Sequence, residues 1–324
     1  MTTSPFRDPP SLADIEQAAA RIAPYAERTP VLRSAVLDEQ LDCNLWFKCE
    51  NLQRAGAFKF RGACNAVFSL SDAAARRGVL TQSSGNHGAA VALACRLRGI
   101  PATVVVPRSA PRMKRDAIAY WGARIVDCDT HQAARDAATE AELESTGASL
   151  VLPFNDARVI AGQATATAEL LQDQPQLDTV IAPISGGGLL SGAALAAHAH
   201  NPDIRIIGAE PSGARDAFDS LASGQRITGR IAHTICDGLR AELGPMTFDL
   251  LRSHRAEILL VDDSETVHAM RKVFEQLKLV IEASAAITLA TLFKYRDRFR
   301  GKKVGVILSG GNLDLDRLPW QDPT

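Results

Sequence analysis

The 324 residues carry 36 Lys+Arg against 37 Asp+Glu, a formal net charge of -1, which excludes the basic excess or stripe that nucleic-acid and anionic-membrane binding require. A small-molecule ligand is the default that remains. The length allows one large domain or two of ordinary size; no window approaches the ~18 uninterrupted apolar residues of a membrane span, and residues 1–10 lack a basic stretch followed by an apolar run, so the protein reads as cytoplasmic.

In chain order, an amphipathic helix over 11–26 comes first, with Ser11 as N-cap and Asp14 and Glu16 in its first turn. A strand at 46–50 follows, and then the run Gly56-Ala57-Phe58-Lys59-Phe60-Arg61-Gly62-Ala63, which opens a helix over 60–68. Lys59 has apolar sequence neighbours on both sides. Desolvation of that kind favours the nucleophilic amine over the ammonium, the condition for an imine-forming lysine, and the competing reading is a surface lysine on an amphipathic helix.

Next come a strand at 79–81, a glycine turn and an apolar helix through 97, then strands at 102–106 and 124–127 alternating with helices over 112–121 and 131–145. The cycle resumes with a helix at 159–172, a strand at 179–183, a helix at 189–200 and a strand at 204–209. Strands at 257–261 and 304–308 flank helices over 263–277 and 283–295. This alternation predicts an α/β fold with parallel sheets and right-handed crossovers. The unit at 79–152 reads as a compact sub-domain, giving a large domain of 1–76 plus 156–324 and a small mobile domain of 77–155 with a cleft between them. The six cysteines, at 43, 49, 64, 95, 128 and 236, lie in apolar segments without C-x-x-C spacing, so buried, reduced thiols are expected.

Three glycine turns carry the chemistry. Ser83-Ser84-Gly85-Asn86-His87, between a strand and a helix, offers amides and hydroxyls to a carboxylate-sized anion, although either serine could be a simple N-cap and His87 a structural hydrogen-bonding residue. Ser185-Gly186-Gly187-Gly188-Leu189, also before a helix, suits a phosphate. With Glu210 some 20 residues on, it competes as a dinucleotide fingerprint, but Ser191 stands where the third glycine belongs. Ser309-Gly310-Gly311-Asn312 closes a strand, where parallel sheets gather ligands.

Together these blocks resemble, in order and spacing, the signatures of the pyridoxal-phosphate serine/threonine dehydratase and serine racemase family, over residues 25–316. The resemblance implies a two-lobed tryptophan-synthase-β-like fold and β-elimination from serine, threonine or 3-hydroxyaspartate, with amino-acid racemisation as the alternative outcome. Within it, Lys59 would form the Schiff base with pyridoxal 5'-phosphate, Phe58 would pack by the ring, and Asn86 would bond the ring's 3'-oxygen. Ser185, Gly186, Gly187, Gly188 and Leu189 would hold the phosphate, and Ser309 would face the pyridine nitrogen.

For the amino-acid substrate, the resemblance implies that Ser83, Ser84, Gly85, Asn86 and His87 take the α-carboxylate, with Ser84 as the acid/base opposite Lys59. Asp237 would lie near the substrate hydroxyl. Arg135 would meet a second carboxylate, against the plain reading of a solvated helix face. Glu210, Ala214 and Asp216 match a divalent-cation site, and two carboxylates plus a carbonyl suit Mg2+ or Ca2+. A homodimer is implied. The residues after Ser309 leave no room for a regulatory domain, so no isoleucine inhibition is expected. Ser185, Ala57 and Glu282-Ala283-Ser284 depart from the commonest family pattern. A nicotinamide-dependent oxidoreductase and a non-catalytic binding protein remain as competing readings.

Overall fold

Residues 8–321 of the chain are described by a computed structural model; residues 1–7, most of the segment read for a leader, lie outside it. Ten strands lie among the described residues: β1 (Val31–Leu32), β2 (Asn44–Cys49), β3 (Val79–Gln82), β4 (Ala102–Pro107), β5 (Arg124–Cys128), β6 (Ser149–Leu150), β7 (Thr179–Pro183), β8 (Arg205–Pro211), β9 (Glu257–Val261) and β10 (Lys303–Leu308). They make two sheets. One has six strands in the order β1-β2-β10-β7-β8-β9, the other four in the order β5-β4-β3-β6. Every pairing is parallel except β1 with β2.

The six-stranded sheet is covered on both faces, as parallel sheets are. Neighbouring residues therefore enter opposite cores. Phe47, Ile181, Ile207 and Val306 pack with Met270, Ala286 and Leu289 of the helices Asp263–Leu277 and Ala283–Lys294. Trp46, Val180, Ile206 and Ile307 pack with Leu170, Leu190 and Ala193 on the other side. A third cluster brings Phe60 and Ala63 of the helix Lys59–Phe68 against Val91 and Cys95 of the helix Asn86–Arg98, joining the two sheets' territories.

The helix that begins with Lys59 is held in place in two ways. Gly162, on the helix Ala157–Asp173, lets the backbones touch: a Cβ there would lie 2.6 Å from the Arg61 carbonyl oxygen. A buried ionic cluster adds direction. The Arg61 guanidinium donates to both carboxylate oxygens of Glu50 at 2.8 Å and to Glu169 at 2.7 and 2.9 Å, while Lys48 reaches Glu169 at 2.6 Å.

The first helix runs Leu12–Ile22, with the expected Ser11 cap completed by Asp14 into a capping box. It stops short of 26 because Pro24 has no N–H to continue the ladder. Glu50, expected in a strand, turns out of β2 into a single helical turn, Glu50–Leu52, and so reaches Arg61. β1, β6 and the helices Ala35–Leu41, Asp216–Ser223 and Pro245–Ser253 were not read from sequence, being too short to show a period. All six cysteines are free and buried, as expected, and burial pushes those at 43, 49, 64, 95 and 236 up to about 12. Among the described residues no helix is long and apolar enough to cross a membrane.

Candidate active site

The carboxyl ends of β2, β3, β7 and β10 lead directly into the segments singled out above, the position where parallel α/β sheets collect ligands. Backbone pairing stitches two of them, the Lys59 run and the turn after β10, to each other and to Glu282. Phe58 N–H donates to the Ser309 carbonyl at 3.0 Å, Gly311 N–H to Gly56 O at 2.9 Å, and Glu282 N–H to Gly310 O at 3.1 Å.

Lys59 begins its helix half-buried, its Nζ donating to the Pro153 carbonyl at 2.7 Å and lying 5.2 Å from the centroid of the Phe58 ring. Burial of its amine lowers Lys59 to about 8 from an ordinary 10.5, against the pull of the Glu282 carboxylate. A shift in this direction favours the free amine over the ammonium. Glu282 is buried and pushed up to about 7, first by desolvation and then by Asp237; its bond from Asn86 and the charges of Lys114 and Lys59 oppose the shift.

Helix Asn86–Arg98 starts in the first glycine turn, and the amides of Asn86 and His87 stand where no intrahelical carbonyl reaches. The Ser83 hydroxyl accepts from Gly85 N–H at 3.2 Å. His87 is buried and held neutral, its value pushed down to about 3 by desolvation and by Lys59. Its Nε2 lies 3.4 Å from the Val151 carbonyl, which only accepts, so Nε2 carries the hydrogen and Nδ1 is an acceptor without a partner among the described residues.

The triglycine turn caps the helix Gly188–His200. Gly187 has φ +89, and a Cβ on it would sit 2.7 Å from Thr247 Cβ; one on Gly186 would sit 2.3 Å from the Phe154 ring. Only glycine fits, and the bare backbone at a helix N-terminus is a cradle for phosphate. The Ser185 hydroxyl is taken up by Ala241, donating to its carbonyl at 2.9 Å and accepting from its N–H at 3.0 Å, so only the backbone of Ser185 is left to face an anion. Ser309 is buried at the end of β10. A near-neutral lysine, a phosphate-sized cradle and a neutral hydroxyl fit pyridoxal phosphate.

Of the other expected site residues, Asp237 pairs with Lys114, from the single turn Asp237–Leu239 to the helix Arg112–Tyr120. Arg135 stands on the helix Gln132–Thr146, its Nε buried and unpartnered among the described residues. Both Glu210 oxygens accept from the amides of Ala217 and Phe218 at 2.8 Å, and Asp216 accepts from Leu243 N–H at 3.0 Å. Those amides hold the Glu210 carboxylate in the turn and leave each oxygen a further lone pair. Burial raises Glu210 to about 8 and Asp216 to about 6; Asp216, Ala214 and Ser212 line a cavity of about 110 Å³, as do Arg215, Arg230 and Arg240. Glu210 and Asp216 are two buried carboxylates, close enough for Asp216 to raise Glu210, and such hard oxygen donors fit a divalent cation. Among the described residues no cluster of three or more His, Cys, Asp or Glu side chains could hold a metal, so carbonyl and water would complete the shell.

Sequence reasoning assigned no role to Lys114, Pro153, Glu282 or Asn312. Glu282, directly before the helix Ala283–Lys294, was visible only as a departure from the family pattern.

The comparisons agree with this geometry. Residues 22–310 match the family described as pyridoxal-phosphate dependent enzyme. The chain is 49% identical over 314 residues to a serine racemase of Oryza sativa subsp. indica, covering 95% of this chain and 92% of that one. It is 44% identical over 311 residues to a beta-hydroxyaspartate dehydratase of Paracoccus denitrificans, covering 96% and 99%. The solved maize serine racemase superimposes with a TM-score of 0.94 at 46% identity, covering 96% of each chain. These likenesses exclude the dinucleotide reading of the triglycine turn, and the chain belongs to the family of pyridoxal-phosphate dependent enzymes.

Proposed function

We propose that this enzyme eliminates water from a β-hydroxy amino acid, L-serine, L-threonine or 3-hydroxyaspartate, to release a 2-oxo acid and ammonia. The observation that carries this reading is the Lys59 amine, lowered to about 8 where the glycine turns converge. Racemisation of serine is the second reading, favoured by the serine racemase at 49% identity.

Bound pyridoxal phosphate supplies an electron sink that acidifies the α-carbon of an attached amino acid. Lys59 would be the attachment point and, displaced by the substrate amine, the base that takes the α-proton; its lowered value leaves more free amine near neutral pH than an ordinary lysine has. The amides of Gly186, Gly187, Gly188 and Leu189 would hold the phosphate with the backbone of Ser185, Phe58 would pack by the ring, and Asn86 would donate to its 3'-oxygen. The Ser309 hydroxyl faces the ring nitrogen without charging it, which favours elimination over transamination. Ser83, Ser84, Gly85, Asn86 and His87 bind the α-carboxylate, Asp237 lies near the leaving hydroxyl, and Arg135 receives a second carboxylate when one is present. A proton from the Ser84 hydroxyl to the opposite face of the α-carbon gives the enantiomer instead. Residues 77–155 act as a small mobile domain that closes over the substrate and excludes water. The working form is a cytoplasmic homodimer.

Attachment should follow the Lys59 amine. Its low value means the free base appears as pH rises through about 8, so the rate at which cofactor-free protein turns yellow with added pyridoxal phosphate should climb between pH 7 and 9. A rate unchanged over that range contradicts this assignment.

Glu210, Ala214 and Asp216 bind Mg2+ or Ca2+. Because Glu210 is raised from 4.5 to about 8, the metal-free native state keeps a proton that the unfolded chain has lost, and stability falls as pH rises across that window. A cation replaces that proton. The rise in Tm on adding Mg2+ should therefore be larger at pH 8 than at pH 5, and equal shifts at both pH values would remove the site.

The proposed activity is tested by following ammonia release and enantiomer formation side by side for serine, threonine and the 3-hydroxyaspartate stereoisomers, with and without EDTA. Ammonia and a 2-oxo acid in equal amounts are expected, and turnover of none of these substrates would overturn the reading.

A further inference from the structure

Between the two sheets runs a chain of three side chains whose direction is fixed at one end. Asn312 Nδ2 donates to the Ala55 carbonyl at 2.8 Å and to Asn86 Oδ1 at 2.9 Å. Asn86 Nδ2 in turn donates to the two carboxylate oxygens of Glu282 at 2.9 and 3.2 Å. A carbonyl oxygen only accepts, so Ala55 places the nitrogen of Asn312 and not its oxygen. That nitrogen then requires the oxygen of Asn86 to face it, and the amide nitrogen of Asn86 must turn to Glu282. The polarity of the whole chain follows from one backbone group.

The arrangement is built in. Gly56 adopts φ +71 and leaves the space that the Asn312 amide fills, since a Cβ there would lie 2.2 Å from Asn312 Oδ1. Ala55 beside it also has a positive φ, 57°, which aims its carbonyl. On the far side, the Glu282 N–H is anchored on Gly310, and a Cβ on Gly310 would lie 2.6 Å from Glu282 Oε1. Asn86 belongs to the helix packed on the four-stranded sheet, whereas Asn312 follows β10 of the six-stranded one and Glu282 caps the helix Ala283–Lys294 packed against it.

We infer that Asn312 is a positioning residue: it locks the Asn86 amide in one of its two orientations, so that one N–H goes to Glu282 and the second is presented to the cofactor ring oxygen. The inference rests on the proposed function, which places that oxygen beside Asn86. Glu282 cannot impose the orientation alone, because it is raised to about 7 and its protonated form can donate to the Asn86 oxygen and hold the amide turned over. Asn312 cannot make that exchange while Ala55 holds its nitrogen.

The test compares Asn312→Ala and the isosteric Asn312→Asp with the wild type, loaded with pyridoxal phosphate. A carboxylate in place of the Asn312 amide offers acceptors only and turns the Asn86 nitrogen towards itself. The expected result is loss or displacement of the visible absorption band, cofactor dissociation faster by about tenfold, and kcat lowered by about tenfold with KM for the amino acid changed by less than about threefold, the larger effects falling on Asn312→Asp. A lowered Tm with the band and cofactor retention of the wild type would show a purely structural residue and overturn the inference. A wild type that shows no visible band removes the underlying reading and this inference with it, whereas a normal wild-type band with unaltered variants removes the inference alone.

Discussion

Lys59→Ala is expected to abolish the visible band of the loaded enzyme and to lower kcat/KM by at least about 10⁴, the upper end of what a positioned proton-transfer group contributes, with little change in fold. The Lys59 side chain donates to the Pro153 carbonyl and is only half-buried, so its removal opens no core cavity. Lys59→Arg should be equally inactive although it keeps the positive charge, because a guanidinium that stays protonated can neither hold the cofactor covalently nor accept the α-proton. Absorbance spectra and single-turnover kinetics on both variants check this. Retention of a tenth of wild-type turnover by either would show that the lysine is not the base.

Glu50→Ala should cost about 3–5 kcal/mol of stability, the largest thermodynamic effect foreseen for a single substitution outside the site, because it leaves an uncompensated buried cation. Glu50 and Arg61 are both fully buried, and the Glu50 carboxylate also accepts from the Thr29 hydroxyl at 2.6 Å. Two cations, Arg61 and Lys48, face two anions, Glu50 and Glu169; removing Glu50 leaves both cations on Glu169 alone. Burial weakens the charged form of Lys48, and the attraction of Glu169 opposes it without overcoming it. Arg61 lies two residues after Lys59 on the same helix, so loosening the cluster also loosens the lysine. Denaturant unfolding of Glu50→Ala and Glu50→Gln measures the effect; a loss under about 1 kcal/mol in the alanine variant would show that water or Glu169 relieves the charge.

Much of the fold was legible because it is local. Strands at 179–183 and 257–261 and the helix at 263–277 coincide with β7, β9 and Asp263–Leu277, where the period and the bounding turns agree. β1 and β6 have two residues each and carry no alternation, so only the neighbouring strand reveals them. The glycine turns were also legible, since a cradle made of backbone is written in the residues that lack side chains.

What escaped was the side-chain wiring. Asn86 and Asn312 are 226 residues apart, Asn86 and Glu282 196, and Lys114 and Asp237 123, and no spacing rule links positions that meet only when two sheets are packed together. Glu282 and Lys114 are ordinary charged residues in sequence; Glu282 acquires meaning from its burial near Lys59, and Lys114 from its pairing with Asp237. The Ser185 hydroxyl is the converse, an apparent ligand that the fold commits to Ala241.

The central claim is that the Lys59 amine carries the cofactor. Borohydride reduction of the loaded enzyme followed by peptide mass mapping tests it most directly: the account predicts one reduced pyridoxyl adduct, on the peptide that contains Lys59, and an adduct on any other lysine, or none, would contradict it.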